Sequence, residues 1–204
     1  TIVYGSTMAV KEHHFKRRLA YSTVSNLSYI VLAASLMTQS GLTASLAHML
    51  FHALIKITLF FCAGAVMVKT GRTQIEDLRG LSRVMPFTCA TYTIGAISLM
   101  GTPLLPGFVS KWLIGSAAIE TGTAMGMVGV TAILISAVLT AIYLMGPALS
   151  MYFRPLEGME KVVSCDPGWR MKLPFAVLAV VIVLCGLFSD PIITLLANLS
   201  AGVM

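Results

Sequence analysis

Three titratable side chains occur at helical spacing within one long apolar segment. His48, His52 and Lys56 are each four residues apart within residues 45–68, a stretch rich in Leu, Phe, Ala and Ile. At 3.6 residues per turn, this spacing places all three on one face of a helix, with about 6 Å between neighbours along the axis. Imidazole and amine groups both take up and release protons. The pattern therefore indicates a row of groups that could pass a proton along the helix.

Lys56 lies near the middle of a segment that can cross a bilayer, since about 20 apolar residues suffice. A charged side chain at that depth is costly, and each interface is about 16 Å away. The lysine side chain reaches only about 6 Å, so the amine cannot extend to the headgroups. We therefore expect Lys56 to face other helices or water and to serve proton transfer. The alternative is that the histidines are hydrogen-bonded packing residues.

A second lysine, Lys111, lies in residues 86–119, a segment longer than one span requires. Its centre, residues 101–107, reads GTPLLPG, and two prolines and two glycines so close together prevent a regular helix. We expect a discontinuous helix formed by residues 86–100 and 108–119, because broken helices line ion sites in transporters. The alternative is two re-entrant segments with Lys111 at an interface. The expected break contains Gly101, Pro103, Pro106 and Gly107.

The composition is that of an integral membrane protein. Of 204 residues, 57% are hydrophobic and 11% are charged, against about 25% charged in soluble proteins. The net charge of +6 arises from basic residues that, apart from the two lysines above, fall within residues 11–18, 69–83 and 154–172. This clustering is a topology signal that places the three segments on the cytoplasmic side. It argues against nucleic-acid binding.

The alternation of basic connections with connections that contain no lysine or arginine predicts an all-α, polytopic transmembrane helix bundle that forms one domain over residues 1–204. Residues 39–43 are expected to form a turn. Residues 1–10 are typical of the end of a helix that begins earlier, so the chain is expected to be part of a longer protein. The predicted spans are residues 19–38, 45–68, 86–119, 124–153 and 173–189.

Polar side chains recur on one face of two other predicted spans. Ser22 and Asn26 share a face in the first span, and Thr140 belongs to a similar face in the fourth. Such groups either bond neighbouring helices or hold the waters of a proton wire, and the sequence leaves both interpretations open.

Redox and metal chemistry within this chain is not expected. His48 and His52 share one helix face, so they cannot bind one haem from opposite sides. HMLFH lacks the glutamate of the H-E-x-x-H zinc motif, and the four cysteines form no C-x-x-C pair. We therefore expect no cofactor, metal site or disulfide here.

Three motifs, in order along the chain, resemble a known family. FKRRLAYSTVSNLSY (15–29), HMLFHALIKITLFFCAG (48–64) and GTPLLPGFVSKW (101–112) are similar to the antiporter-like membrane subunits. That family includes membrane subunits of respiratory complex I, the A-type and D-type subunits of Mrp cation/proton antiporters, and membrane subunits of energy-converting hydrogenases. The loop of residues 70–86 and the phrase GFVSKW resemble the D-type Mrp branch or the hydrogenase branch more closely.

The resemblance implies that the chain holds the second inverted repeat and the C-terminal helices of the antiporter-like fold. It implies a proton-translocating subunit of a multi-subunit, Mrp-like antiporter, or alternatively of a redox-driven complex such as complex I or a hydrogenase. Expected partners are other membrane subunits, lipid and protons, with sodium as a further candidate ion, in a bacterial or archaeal inner membrane. The implied proton-transfer residues are Lys56, Lys111, His48 and His52, and Lys16 matches the basic residue that opens the corresponding span of the family. Separately from the resemblance, polar support is expected from Lys16, Ser22, Asn26, Ser110 and Thr140.

Overall fold

The computed structural model describes residues 1–153 and 165–203, which form α-helices joined by short connections. This is the all-α bundle that the sequence predicts. Arg154 and Lys161, which belong to the third predicted basic segment, lie outside the described residues. The helices are α1 (Ile2–Lys11), α2 (Phe15–Ser35), α3 (Gln39–Thr70), α4 (Pro86–Met100), α5 (Pro106–Glu120), α6 (Ala124–Phe153), α7 (Trp169–Leu187) and α8 (Ser189–Ala201).

The chain is an integral membrane protein. Among the described helices, α3, α6 and α7 are long and apolar enough to cross a membrane. α2 is 21 residues long but is less apolar, because its buried face carries Ser22, Ser25 and Asn26. These side chains contact protein rather than lipid, as polar groups in membrane helices usually do.

α3 lies at the centre of the bundle and packs against α2, α4, α5, α7 and α8. Its buried residues include Ile55 and Leu59 together with His48, His52 and Lys56. A helix that is apolar on most sides and surrounded by other helices can present a polar stripe without exposing it to lipid. The row of titratable residues therefore lies inside the protein.

Several helices extend beyond the apolar segments that predicted them. α3 begins at Gln39, so the turn expected at residues 39–43 is wrong. Thr38 caps α3 by accepting a hydrogen bond from the Gly41 backbone N–H at 3.0 Å. α2 begins at Phe15 and includes Lys16 in its first turn. Hydropathy locates the part of a helix that lies in the membrane, whereas caps and good helix formers such as lysine set its ends.

The discontinuous helix expected around residues 101–107 is present. α4 and α5 lie end to end along α3, and the chain in both runs antiparallel to α3. Gly95 of α4 packs against Leu59, and Ser110 of α5 reaches His48, more than two turns earlier on α3. The two short helices therefore share the position that one continuous span would occupy.

The break itself is formed by residues with unusual backbone geometry. Gly101 ends α4 with φ 98°, and Leu104 has φ 71°. α5 begins at Pro106 rather than at the expected residue 108, because proline is well suited to the first position of a helix. Gly107 allows α5 to approach α4 closely, since an added Cβ would collide with the Ser98 carbonyl group.

Two of the basic segments meet at one end of the bundle. The Phe15 backbone N–H donates to the Thr73 carbonyl at 2.9 Å, and the Ile75 N–H donates to the His13 carbonyl at the same distance. His13 also pairs with Glu76 at 3.4 Å. The connections before α2 and after α3 thus lie side by side, as expected if both are on one side of the membrane.

Candidate proton-transfer site

Lys56 is buried in the middle of α3, with 6% of its surface exposed. Its Nζ donates to the Leu19 backbone carbonyl at 2.8 Å and to the Ser22 hydroxyl, both in α2. The amine also lies 5.9 Å from the centre of the Phe60 ring. In the described part of the chain, no carboxylate pairs with this lysine. A carbonyl, a hydroxyl and a ring therefore form its surroundings.

His52 and His48 continue from Lys56 along the same face of α3. Their rings stack with centroids 5.8 Å apart. His48 Nδ1 is 2.9 Å from the Ser110 hydroxyl of α5. Within the described residues, His48 Nε2 and both ring nitrogens of His52 have no hydrogen-bond partner. His48 therefore links α3 to α5, and the two stacked imidazoles lie inside the protein.

Lys111 lies beside the break between α4 and α5 and is 8% exposed. Its Nζ donates to the Leu99 carbonyl at 2.7 Å and to the Met100 carbonyl at 3.0 Å. The last carbonyls of a helix have no partner within it, so the end of α4 provides acceptors for the amine. A groove of about 530 Å³ between α5 and α6 reaches Lys111 and Gly101.

Tyr29 of α2 connects the histidines with Lys111. The edge of its ring contacts His48, with centroids 5.4 Å apart, and Lys111 Nζ lies 6.0 Å from the ring centre. Both contacts are of the kind that aromatic rings make with polar edges and cations. Together with Ser110, Tyr29 completes a buried tract that begins at Lys56 and ends at Lys111. We call these residues, with His52 and His48, the lysine–histidine tract.

The residues expected to give polar support differ in how they contribute. Ser22 contacts Lys56 and Ser110 contacts His48 directly. Asn26 donates to the Ser22 carbonyl at 2.7 Å, and Thr140 donates to the Ser136 carbonyl at 2.7 Å, so both bond mainly to their own helices. Lys16 is half-buried in the first turn of α2 and lines a groove between α3 and α7. It forms no hydrogen bond with the tract among the described residues.

A cluster of three serines joins α1, α2 and α6, and sequence reasoning missed it. The Ser25 hydroxyl lies 2.8 Å from that of Ser6 and 3.1 Å from that of Ser136, and Ser6 also bonds Ser136. All three are fully buried. Ser6 belongs to the short first helix, where the sequence offers no second polar residue at helical spacing. We call these residues the serine cluster.

Arg18 fastens α6 to α1 and α2 through a carbonyl that a proline leaves free. Pro147 lies inside α6 and has no N–H to bond the Tyr143 carbonyl four residues earlier. Arg18 Nη1 donates to that carbonyl at 3.2 Å, and the same guanidinium bonds two carbonyls near the end of α1. The Tyr143 hydroxyl donates to Thr140 at 3.2 Å. Arg18 thereby ties α6, at the Tyr143 carbonyl, to α2 and to the end of α1.

Comparisons with known proteins bear on the family and the fold of the chain. Residues 1–140 match the family described as NADH:quinone oxidoreductase/Mrp antiporter, transmembrane. The chain is 34% identical over 204 residues to the NADH-quinone oxidoreductase subunit N of Desulforudis audaxviator, covering 95% of this chain and 40% of that protein. It therefore spans about two fifths of the length of this relative.

Two solved structures have the same fold. One is the membrane-bound sulfane sulfur reductase, an archaeal respiratory membrane complex, in which the matching chain is 32% identical with a TM-score of 0.88. The match covers 98% of this chain and 39% of that one. The other is the Mrp complex from Dietzia sp., with 24% identity, a TM-score of 0.86, and coverage of 98% and 45%. At that identity the second likeness shows the fold alone.

Proposed function

Because the chain belongs to the NADH:quinone oxidoreductase/Mrp antiporter transmembrane family, we propose that its lysine–histidine tract moves protons through the membrane interior. The resemblance carried by the three sequence motifs is confirmed at the level of the family. The roles of Lys56, Lys111, His48 and His52 are part of this proposal.

One observation carries the proposal: two buried amines lie at the two ends of a tract that contains two stacked imidazoles. Lys56 and Lys111 are each held by carbonyl oxygens. Tyr29 contacts both Lys111 and His48. His48 stacks on His52, which lies about one helical turn from Lys56. An imidazole can accept a proton on one nitrogen while releasing one from the other. In this scheme the lysines store protons, and the histidines pass them on.

For the host complex, we propose an Mrp-like cation/proton antiporter in which other membrane subunits surround this one. The loop of residues 70–86 and the phrase GFVSKW support this branch, and the fold matches that of an Mrp complex. Protons are then the transported ions, and sodium is the candidate counter-ion. A bacterial or archaeal inner membrane is the proposed location.

A redox-driven complex is the second candidate and has equal support. The curated relative is named as a subunit of an NADH-quinone oxidoreductase, and the structure with the higher identity belongs to a respiratory complex. In that setting, electron transfer in another subunit would drive the proton movement. Genes adjacent to the one for this protein distinguish the two: small Mrp-type subunits indicate an antiporter, and quinone-reductase or hydrogenase subunits indicate a redox pump.

The proposal is tested by proton flux in liposomes containing the full-length protein in its complex. We expect Lys56→Ala and Lys111→Ala each to reduce flux about a hundredfold, which corresponds to a barrier increase of about 2.7 kcal/mol. Lys69→Ala, at an exposed position at the end of α3, is the matched control and should leave flux unchanged. Flux that persists in either buried-lysine variant, with assembly intact, would overturn the proposal.

A further inference from the structure

A second groove, with a volume of about 480 Å³, lies between α3 and α7 at the end where the basic segments meet. Phe61 and Phe175 contact each other across it, with ring centroids 6.4 Å apart. Along α3 the groove extends from Val68 to Phe60, a distance of about 12 Å at the rise of an α-helix. It is thus a narrow, apolar channel on the surface of the described helices that runs parallel to them.

Gly64 keeps this groove open. A Cβ added at that position would meet no other atom within 4 Å, so the space beside it is empty of protein in the described part of the chain. On either side, Phe61 is 49% exposed and Val68 is 78% exposed. The groove therefore presents a continuous apolar surface on the outside of the described helices.

Two basic side chains lie at the end of the groove nearest the basic segments. Lys16 belongs to the first turn of α2 and Arg170 to the first turn of α7, and both line it. Among the described residues neither forms an ion pair, and no carboxylate is part of the lining. Positive charge at one end and an apolar channel below it make the site amphipathic.

We propose that this groove binds an anionic phospholipid from the leaflet on the side of the basic segments. The lipid phosphate lies between Lys16 and Arg170, and one acyl chain follows the channel past Gly64 toward Phe60. Basic side chains between membrane helices favour anionic headgroups, and an apolar channel of this length fits a hydrocarbon chain. A free phosphate ion would use the two cations but would leave the apolar channel unexplained. Lipid binding here does not depend on proton transfer by the tract.

The test measures how strongly the full-length protein, in its complex and reconstituted in vesicles, immobilises spin-labelled phosphatidylglycerol relative to phosphatidylcholine. The double substitution Lys16→Gln/Arg170→Gln should lower the preference for phosphatidylglycerol about thirtyfold, the loss expected for two basic residues at a membrane surface. Lys11→Gln/Lys69→Gln is the matched control, because it removes two exposed charges at neighbouring helix ends outside the groove. The control should retain the preference.

Gly64→Leu provides an independent variant that fills the channel and keeps both charges. It should reduce the immobilised phosphatidylglycerol to the level of the charge variant. If the control pair loses as much preference as the groove pair, the effect is general surface charge and the site is wrong. If Gly64→Leu has no effect while inorganic phosphate displaces the labelled lipid, the ligand is free phosphate, and the proposal is overturned.

Discussion

The serine cluster and the lysine–histidine tract differ in the hydrogen bonds that their buried side chains form. In the serine cluster, every hydroxyl bonds another hydroxyl, and Ser25 also donates to a backbone carbonyl of α1. In the lysine–histidine tract, three of the four ring nitrogens have no partner among the described residues. Satisfied hydroxyls between helices stabilise packing. Imidazoles, unlike serine hydroxyls, can take up and release protons near neutral pH.

The same contrast extends to Arg18 and Lys111, whose cationic side chains both bond backbone carbonyls that the helices of those carbonyls leave free. Arg18 occupies a carbonyl left free by Pro147, and it cannot release its proton. Lys111 occupies carbonyls left free by the end of α4, and an amine can release its proton. Both residues repair gaps in helical hydrogen bonding, but only the lysine can also serve as a proton donor.

The largest effect is expected from adding a side chain at Gly107, where α5 packs closely against α4. Gly107→Ala places a methyl group against the Ser98 carbonyl and should destabilise the protein by about 3 kcal/mol, the upper range for overpacking. Because Lys111 sits on the same short helix, flux should fall with stability. Gly115→Ala, in the same helix but with open space around it, is the control. Equal thermal stability of the two variants would contradict the close approach of α4 and α5.

Removing the imidazoles should affect proton flux, whereas removing hydroxyls of the serine cluster should affect stability. His48→Ala/His52→Ala should lower proton flux about a hundredfold, the lower range for losing a general acid–base group. Ser6→Ala/Ser136→Ala should lower the thermal unfolding temperature while changing flux less than about twofold, as the loss of packing hydrogen bonds would. Proton flux and thermal unfolding should be measured on the same preparations of both double variants. A larger flux loss in the serine variant would reverse the assignment.

The bond between Arg18 and the Tyr143 carbonyl can be tested by a double-mutant cycle. Arg18→Ala leaves that carbonyl without its donor and should destabilise the protein by about 2 kcal/mol. Pro147→Ala restores a backbone N–H at position 147, which can bond the carbonyl within α6. Thermal unfolding should therefore show part of the Arg18→Ala loss recovered in the double variant. Purely additive effects would show that the two residues are not coupled.

The smallest expected effect concerns the start of α4. The Asp166 carboxylate accepts hydrogen bonds from the Phe87 and Thr88 backbone N–H groups at 3.1 and 3.3 Å. Asp166→Ala should destabilise the protein by about 1 kcal/mol, as the loss of an N-terminal cap usually does. Asp166→Asn keeps an acceptor oxygen and should recover most of the stability. An unchanged unfolding temperature for Asp166→Ala would show that this carboxylate does not stabilise α4.

The features that are local in sequence were predictable. The four-residue spacing of His48, His52 and Lys56 fixes their common face, because the period of an α-helix is constant. The glycines and prolines of residues 101–107 exclude a regular helix wherever the segment lies. These signals predicted the discontinuous helix and the titratable stripe.

The features that depend on which helices meet were not predictable. Nothing in the sequence near Lys56 indicates that Leu19 accepts its hydrogen bond, because the two residues are 37 positions apart. The serine cluster joins Ser6 to Ser136 across 130 positions. The bond from Arg18 to the Tyr143 carbonyl likewise depends on Pro147, which lies on a different helix. Helix ends were misplaced where a cap such as Thr38 extends the helix past its apolar part.

The central claim is that the amine of Lys56 gives up and regains a proton during transport. Lys56→Arg tests it most directly, because a guanidinium keeps the positive charge but does not release its proton. Proton flux should be measured in liposomes with the full-length protein in its complex, alongside a check that the complex assembles. We predict that the assembled variant loses flux as completely as Lys56→Ala. Undiminished flux in the assembled Lys56→Arg variant would contradict the claim.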